Sequence, residues 1–476
     1  MTRRRLATVG VLLGITLAGI EGTVVSTAMP SVVASIGGLD LYPWAFTSFL
    51  LFAATSMPVW GKLGDIYGRR RSFLAGVGFF VVGSALVGFS QSMEQFVAFR
   101  ALQGIGGGAM FTVPYTILGV IYPPEERGKA IGWGSAVWGV ASFVGPIAGW
   151  LIVETLGWRW VFFLPVLFGA VAVAVIQVAL DESTGDAAPV VDYAGAALLL
   201  VAVGGLLVAL QALERAGSLA DAALPGAVAL AAGMAFVRAE RRAVEPILPL
   251  ALFREPAYRS TNAVAFGASF VIFGAITFVP LYMQSVRGGV ASAAIGLFPI
   301  AIGWSATSFA AGRLANRVGE RRLAVAGAAA LLVGAAGVVL WTAATPLWLQ
   351  LATALVLGVG TGAVVTPALI ALQNAMGSDG MGTVTSSHIF FRNVGGAAGP
   401  AVFGVVINLA IRRGLGDVEG IASLGELRTA LLVGGADAAP AFGDVLLEGL
   451  RSGFGMALVV CLAVLVAARF VPTTTA

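Results

Sequence analysis

Charge is scarce in this chain. Only 11% of its 476 residues are Asp, Glu, Lys or Arg, against about 25% in a soluble domain, so a water-solvated globular protein is excluded. There is one cysteine, Cys461. It rules out an intrachain disulfide and any cysteine-based metal site, and within its apolar run it reads as a small packing residue. The one histidine, His388, lies near the end of its apolar run, where an interfacial imidazole is the simpler reading than a proton relay. The apolar stretches hold no paired acids and no metal-ligand cluster, which argues against an intramembrane enzyme. The glycine run from Gly104 is not followed by the Lys-Ser/Thr of a phosphate loop, so nothing supports ATP drive. No cofactor and no nucleic-acid partner is expected.

What the chain does have is long apolar runs. Hydrophobic residues make up 58% of it, in about fourteen stretches of roughly 20 residues bounded by charge or Gly/Pro clusters. These predict membrane spans near 8–29, 43–61, 72–91, 95–119, 130–153, 159–180, 194–211, 222–238, 258–284, 292–312, 323–343, 346–371, 384–411 and 449–469. The basic opening followed by an apolar core reads as an uncleaved first helix rather than a signal peptide. With the amino terminus inside, one side collects most of the basic residues, including Arg3–Arg5, Lys62, Arg69–Arg71, Arg127, Lys129, Arg241, Arg242, Arg313, Arg317, Arg321 and Arg322. That bias predicts a cytoplasmic-membrane protein with both termini cytoplasmic. Residues 412–448, rich in acids and lacking a run long enough to span, are expected to form an extracellular loop.

The chain also matches itself. VWGKLGDIYGRRR from Val59 aligns with AAGRLANRVGERR from Ala310, LQGIGGGAMFT from Leu102 with VLGVGTGAVVT from Val356, and Gly145-Pro146 with Gly399-Pro400. The separation stays nearly constant, and the first pair falls on the same side of the membrane. These are parallel repeats related by an axis along the membrane normal. They predict residues 1–180 as one six-helix bundle, 181–257 as two inserted helices with linkers, and 258–476 as a second six-helix bundle.

The motifs behind these repeats carry a family resemblance. Gly61 to Arg71 resembles the loop signature of the major facilitator superfamily between spans two and three. Arg100 with Gln103-Gly104-Ile105-Gly106 is similar to its span-four signature, and Gly145-Pro146 with Gly149 to the antiporter signature of span five. Trp150 departs from that pattern, standing where the family often has a second glycine. Ile20 to Pro30 resembles the first-span signature of the fourteen-span drug:proton antiporters, with Glu21 where that group usually has Asp. The resemblance implies an all-α major facilitator fold of two six-helix bundles plus two inserted helices. It also implies a monomer that uses protons to export amphiphilic drugs by alternating access. The alternative is the same fold exporting a lipid, a siderophore or an endogenous antibiotic.

Glu21 lies roughly 20 Å up its helix at 1.5 Å per residue, near the midplane of a core about 30 Å thick. An ionised acid at that depth costs about 2.5–3.5 kcal/mol on insertion scales, which favours proton coupling over a permanent structural bond. Arg100 is either snorkelling to the interface or a charge that helps set the protonation of Glu21 or a nearby carbonyl network. Arg392 is open in the same way. The resemblance implies a gate built from Gly61, Gly64, Asp65, Gly68 and Arg69, in which Asp65 accepts from Arg69 or from a helix amino terminus and latches the inner face shut. Asn316 replaces that acid in the second copy. Gly145, Pro146 and Gly149 give span five a small-residue, kinked face. With Glu21, the residues Trp44, Trp138, Phe273, Tyr282 and Met283 are candidates to line an apolar central cavity for substrate.

Overall fold

The computed structural model describes residues 2–181, 191–216, 219–287, 290–342, 344–377, 380–414 and 439–473. Among them are fourteen α-helices of 20 residues or more and no strand. In chain order these are α1 Arg3–Ile36, α2 Tyr42–Tyr67, α3 Arg69–Phe89, α4 Met93–Ile121, α5 Pro124–Leu156, α6 Trp160–Ala179 and α7 Tyr193–Ala216. They continue with α8 Leu219–Glu240, α9 Pro256–Arg287, α10 Val290–Val318, α11 Glu320–Val339, α12 Leu347–Met376, α13 Met381–Gly414 and α14 Ala439–Ala468.

Twelve of these helices are long and apolar enough to cross a membrane, and α5, bent by 41° after Ala141, makes a thirteenth. The bend lies one turn before Pro146, whose ring removes a helical hydrogen bond. The remaining helix is α2. It is 26 residues long, but its Trp, Pro, Ser and Thr residues dilute its apolar character. Most of the loop expected over 412–448 lies outside the described residues; from Ala439 onward that stretch is the start of α14.

In lipid, helix faces need not be polar anywhere, and association depends on close packing. α14 shows the pattern. Leu447, Leu450, Phe454, Ala457, Cys461, Val464 and Ala468 are buried at alternating spacings of three and four, while Val459, Leu462 and Val466 on the other face are exposed. Cys461 is a member of that buried stripe, which is the packing role its surroundings suggested.

Contacts divide the chain into two units. The first holds 1–200, 236–251 and 372–390; the second holds 201–235, 252–371 and 391–476. In the first, α4 packs against α2 and α3, while α1 packs against α5 and α6. Gly106 lets α4 approach α3 so closely that an added Cβ would stand 2.6 Å from Phe80 Cα. The Trp60 indole donates to Ile105 O at 2.7 Å, and Ser84 to Phe162 O at 2.7 Å. In the second unit, α9 packs on α14 and α10, and α11 on α14. Phe403 and Phe454 meet edge to face at 5.2 Å in its core. The Arg321 guanidinium donates to Val471 O at 2.8 Å and ties α11 to the segment after α14.

Candidate functional site

Midway along α1, Glu21 is only 3% exposed, and Arg100 on α4 only 2%. The structure joins them. Arg100 Nη1 donates to Glu21 Oε1, an ion pair between residues 79 apart in the chain. The same nitrogen donates to Gln103 Oε1 at 2.8 Å, and Gln103 Nε2 donates to Glu21 Oε2 at 3.0 Å. Arg100 and Gln103 share a face of α4 because they stand three residues apart. Arg100 Nε donates to Ala45 O at 3.0 Å, and the guanidinium lies over the Phe49 ring, 4.3 Å from its centroid. Arg100 is therefore buried and paired, not snorkelling to an interface.

This arrangement is electrostatically closed. Two charges out of water cost several kcal/mol each, and only a well-bonded partner offsets that, so deleting one partner of such a pair typically costs about 3–5 kcal/mol. The flanks of Glu21 differ. Gly19 sits where a Cβ would strike Ala141 on α5, whereas Gly22 is exposed and a Cβ there would meet nothing within 4 Å. The helix beside the carboxylate is thus packed on the Gly19 side and exposed at Gly22.

At the end of α2, Asp65 caps the amino terminus of α13. Its Oδ1 accepts from Gly382 N at 2.8 Å, and its Oδ2 from Thr383 N at 2.7 Å and Thr383 Oγ1 at 2.9 Å. Arg69 Nη2 stands 3.7 Å from Asp65 Oδ1. Free N–H groups and the helix dipole both favour an anion there. Gly68 makes the turn between α2 and α3 with φ 97°, in the left-handed region that favours glycine. Gly61 leaves no space for a side chain against Ser386 and Gly382 O, but at Gly64 the nearest atom to an added Cβ is Ser72 Oγ at 3.8 Å. Lys62 Nζ pairs with Glu245.

On α5, added Cβ atoms at Gly145 and Gly149 would strike the Thr23 and Thr27 hydroxyls of α1. The span-five signature therefore packs directly beside the Glu21 segment. Trp138 stacks on Phe111 with centroids 5.9 Å apart, and Trp44 at the start of α2 is partly exposed. In the second unit, Phe273 is partly exposed beside Trp304. Tyr282 and Met283 instead lie in the packed core, Tyr282 against the Trp341 ring at 5.6 Å. His388 is buried and Arg392 half-buried. Gln103 stood in the span-four motif without a role, and Ala45 and Phe49 carried no signal, because neutral and aromatic residues are ordinary in an apolar helix.

A family model described as "Major Facilitator Superfamily" matches residues 11–400. The chain belongs to the major facilitator superfamily. It is similar to the "Multidrug transporter protein MdtP" of Bacillus subtilis (strain 168), 34% identical over 86% of this chain and 76% of that one. It is equally similar to "Multidrug resistance protein 3" of the same organism, 34% identical over 83% and 78%. Among solved structures, the human organic anion transporter MFSD10 (TETRAN) superposes with a TM-score of 0.67 over 98% of this chain and all of that one, at 17% identity. That likeness speaks to the fold alone. The protein is an all-α, multi-pass membrane transporter and not an enzyme.

Proposed function

We propose that this major facilitator is a proton-coupled antiporter exporting amphiphilic, cationic or aromatic drugs across the cytoplasmic membrane, with both termini on the cytoplasmic side. The observation that carries the reading is the Glu21–Arg100–Gln103 assembly. Among the described residues it is the one ion pair in which both side chains are almost fully buried. Intramembrane ionisable residues at such a cost mark ion and proton pathways. The names of the two Bacillus relatives support drugs as the cargo class.

In this reading Glu21 cycles between carboxylate and carboxylic acid. Opening to the acidic outside hydrates the Glu21 site and delivers a proton; opening to the cytoplasm releases it. The restored negative charge then favours a cationic cargo, so one site alternates between proton and drug. The Asp65 cap on α13 holds the inner side shut and lets go when that side opens. Everted membrane vesicles test the scheme. With an acidic lumen imposed, a fluorescent cationic dye is expected to accumulate inside and to be released by a protonophore. Dye uptake insensitive to the protonophore and to the imposed gradient would contradict proton coupling.

A further inference from the structure

The Glu21 site has a chemical asymmetry. Glu21 Oε1 faces Arg100 Nη1 and Oε2 faces Gln103 Nε2, so both oxygens meet N–H donors. A carboxylate satisfies both. A carboxylic acid carries its own O–H and finds no acceptor in this geometry, since neither an arginine nitrogen nor an amide N–H group can accept. Protonation therefore breaks this bonding pattern and leaves the Arg100 charge without its counter-charge.

Arg100 then remains, still charged, because arginine does not release its proton in proteins. Three partners stay with it: Ala45 O, Gln103 Oε1 and the face of Phe49. Phe49 is itself fixed, only 3% exposed, and the ring tip lies where a Cβ on Gly107 would come within 2.8 Å of it. Building on the proton-coupled reading above, we infer that Phe49 is a positioning residue whose ring face holds the Arg100 cation in place while Glu21 is protonated. The second repeat supports the pairing of ring with cation. Where Gly104 abuts Phe49 O, Gly358 abuts Ile300 O, and the position matching Arg100 is Ala354. Ring and guanidinium are absent there together.

Among the described residues of the elements packed around it, no other titratable side chain competes at this place. Arg3–Arg5 stand at the far start of α1, and Lys62 and Asp65 at the far end of α2. Tyr42 packs on Phe46 at the near end of α2. Asp40 and Glu94 are exposed. Arg69–Arg71 open α3, and Tyr115 lies four turns along α4. On α5 the charges are Glu125–Arg127 and Lys129 at the start and Glu154 near the end; α6 carries none.

The test replaces Phe49 in the full-length purified transporter with mono-, di- and trifluorinated phenylalanine, which weakens the ring's negative face while nearly keeping its shape. Substrate-induced proton release from each variant is followed against pH, with unsubstituted protein and Glu21→Gln alongside. The neutral-Glu21 state leans on the ring more than the ion-paired state does. The midpoint of release is therefore expected to move stepwise to more acidic pH with fluorination, by about 0.5–1 unit across the series. A packing role alone would leave it unmoved. If unsubstituted protein releases protons and Glu21→Gln does not, yet the series shares one midpoint, this inference falls and proton coupling stands. If unsubstituted protein releases none, the coupling reading falls and takes this inference with it.

Discussion

The helices α4 and α12 occupy matching places in the two repeats, and they share a packing frame but not a charge. Gly104 and Gly358 admit the backbones of Phe49 and Ile300; Gly106 and Gly360 those of Phe80 and Leu331; Gly108 and Gly362 those of Ala53 and Trp304. At the positions of Arg100 and Gln103, α12 has Ala354 and Leu357, both fully buried. The same contrast holds at the loops. Gly68 and Gly319 make the same left-handed turn, with φ 97° and 92°, but Asp65 is matched by Asn316 and Arg69 by Glu320. Helix packing at this frame evidently does not need an ion pair, since the second copy manages without one. The pair in the first copy is a cost that packing does not explain, which is why function is the better account of it.

The comparison can be broken most forcefully by giving α4 the residue of α12. Arg100→Ala leaves Glu21 buried without its cation, and thermal unfolding in detergent is expected to show a loss of about 3–5 kcal/mol. Adding Glu21→Gln to Arg100→Ala should recover most of that stability and none of the transport. A double variant as unstable as the single one would show that Arg100 acts through packing. The shared frame makes the next test. Gly106→Val and Gly360→Val should each cost about 1–3 kcal/mol or more by overpacking, and by similar amounts; a large cost at one site alone would break the equivalence of the repeats.

Smaller effects sharpen the loop contrast. Asp65→Asn weakens the cap on α13, worth about 0.5–2 kcal/mol for such a residue, so unfolding should shift little while turnover in vesicles drops several-fold. Transport undiminished at normal expression would make that acid dispensable. The smallest change is Glu21→Asp, which keeps a titrating carboxyl on a side chain one methylene shorter. Proton-driven dye uptake should persist, partly or fully.

Much of this was legible in the chain because charge is expensive in lipid. Glu21 and Arg100 stood out as charges inside apolar runs, and the repeated glycine motifs announced the packing frame. An association of the two was one of the readings open for Arg100, but 79 residues separate them, and only the docking of α1 on α4 decides for the direct pair. A helix amino terminus was among the expected partners of Asp65, but that it belongs to α13 depends on tertiary structure. Tyr282 and Met283 illustrate the opposite limit. An aromatic or Met side chain in an apolar helix suits a cavity wall and a core equally, and the face it occupies, here beneath Trp341, is decided by packing. Phe49 was silent for the same reason.

The central claim, that Glu21 is the carboxyl exchanging proton for cargo, is tested most directly by proton release from purified transporter in weakly buffered detergent solution. Adding a cationic substrate to the unmodified protein is expected to liberate protons in proportion to the sites filled, with Glu21→Gln releasing none while still expressing and folding normally. Undiminished release from Glu21→Gln would contradict the account and return the buried carboxylate to a structural role.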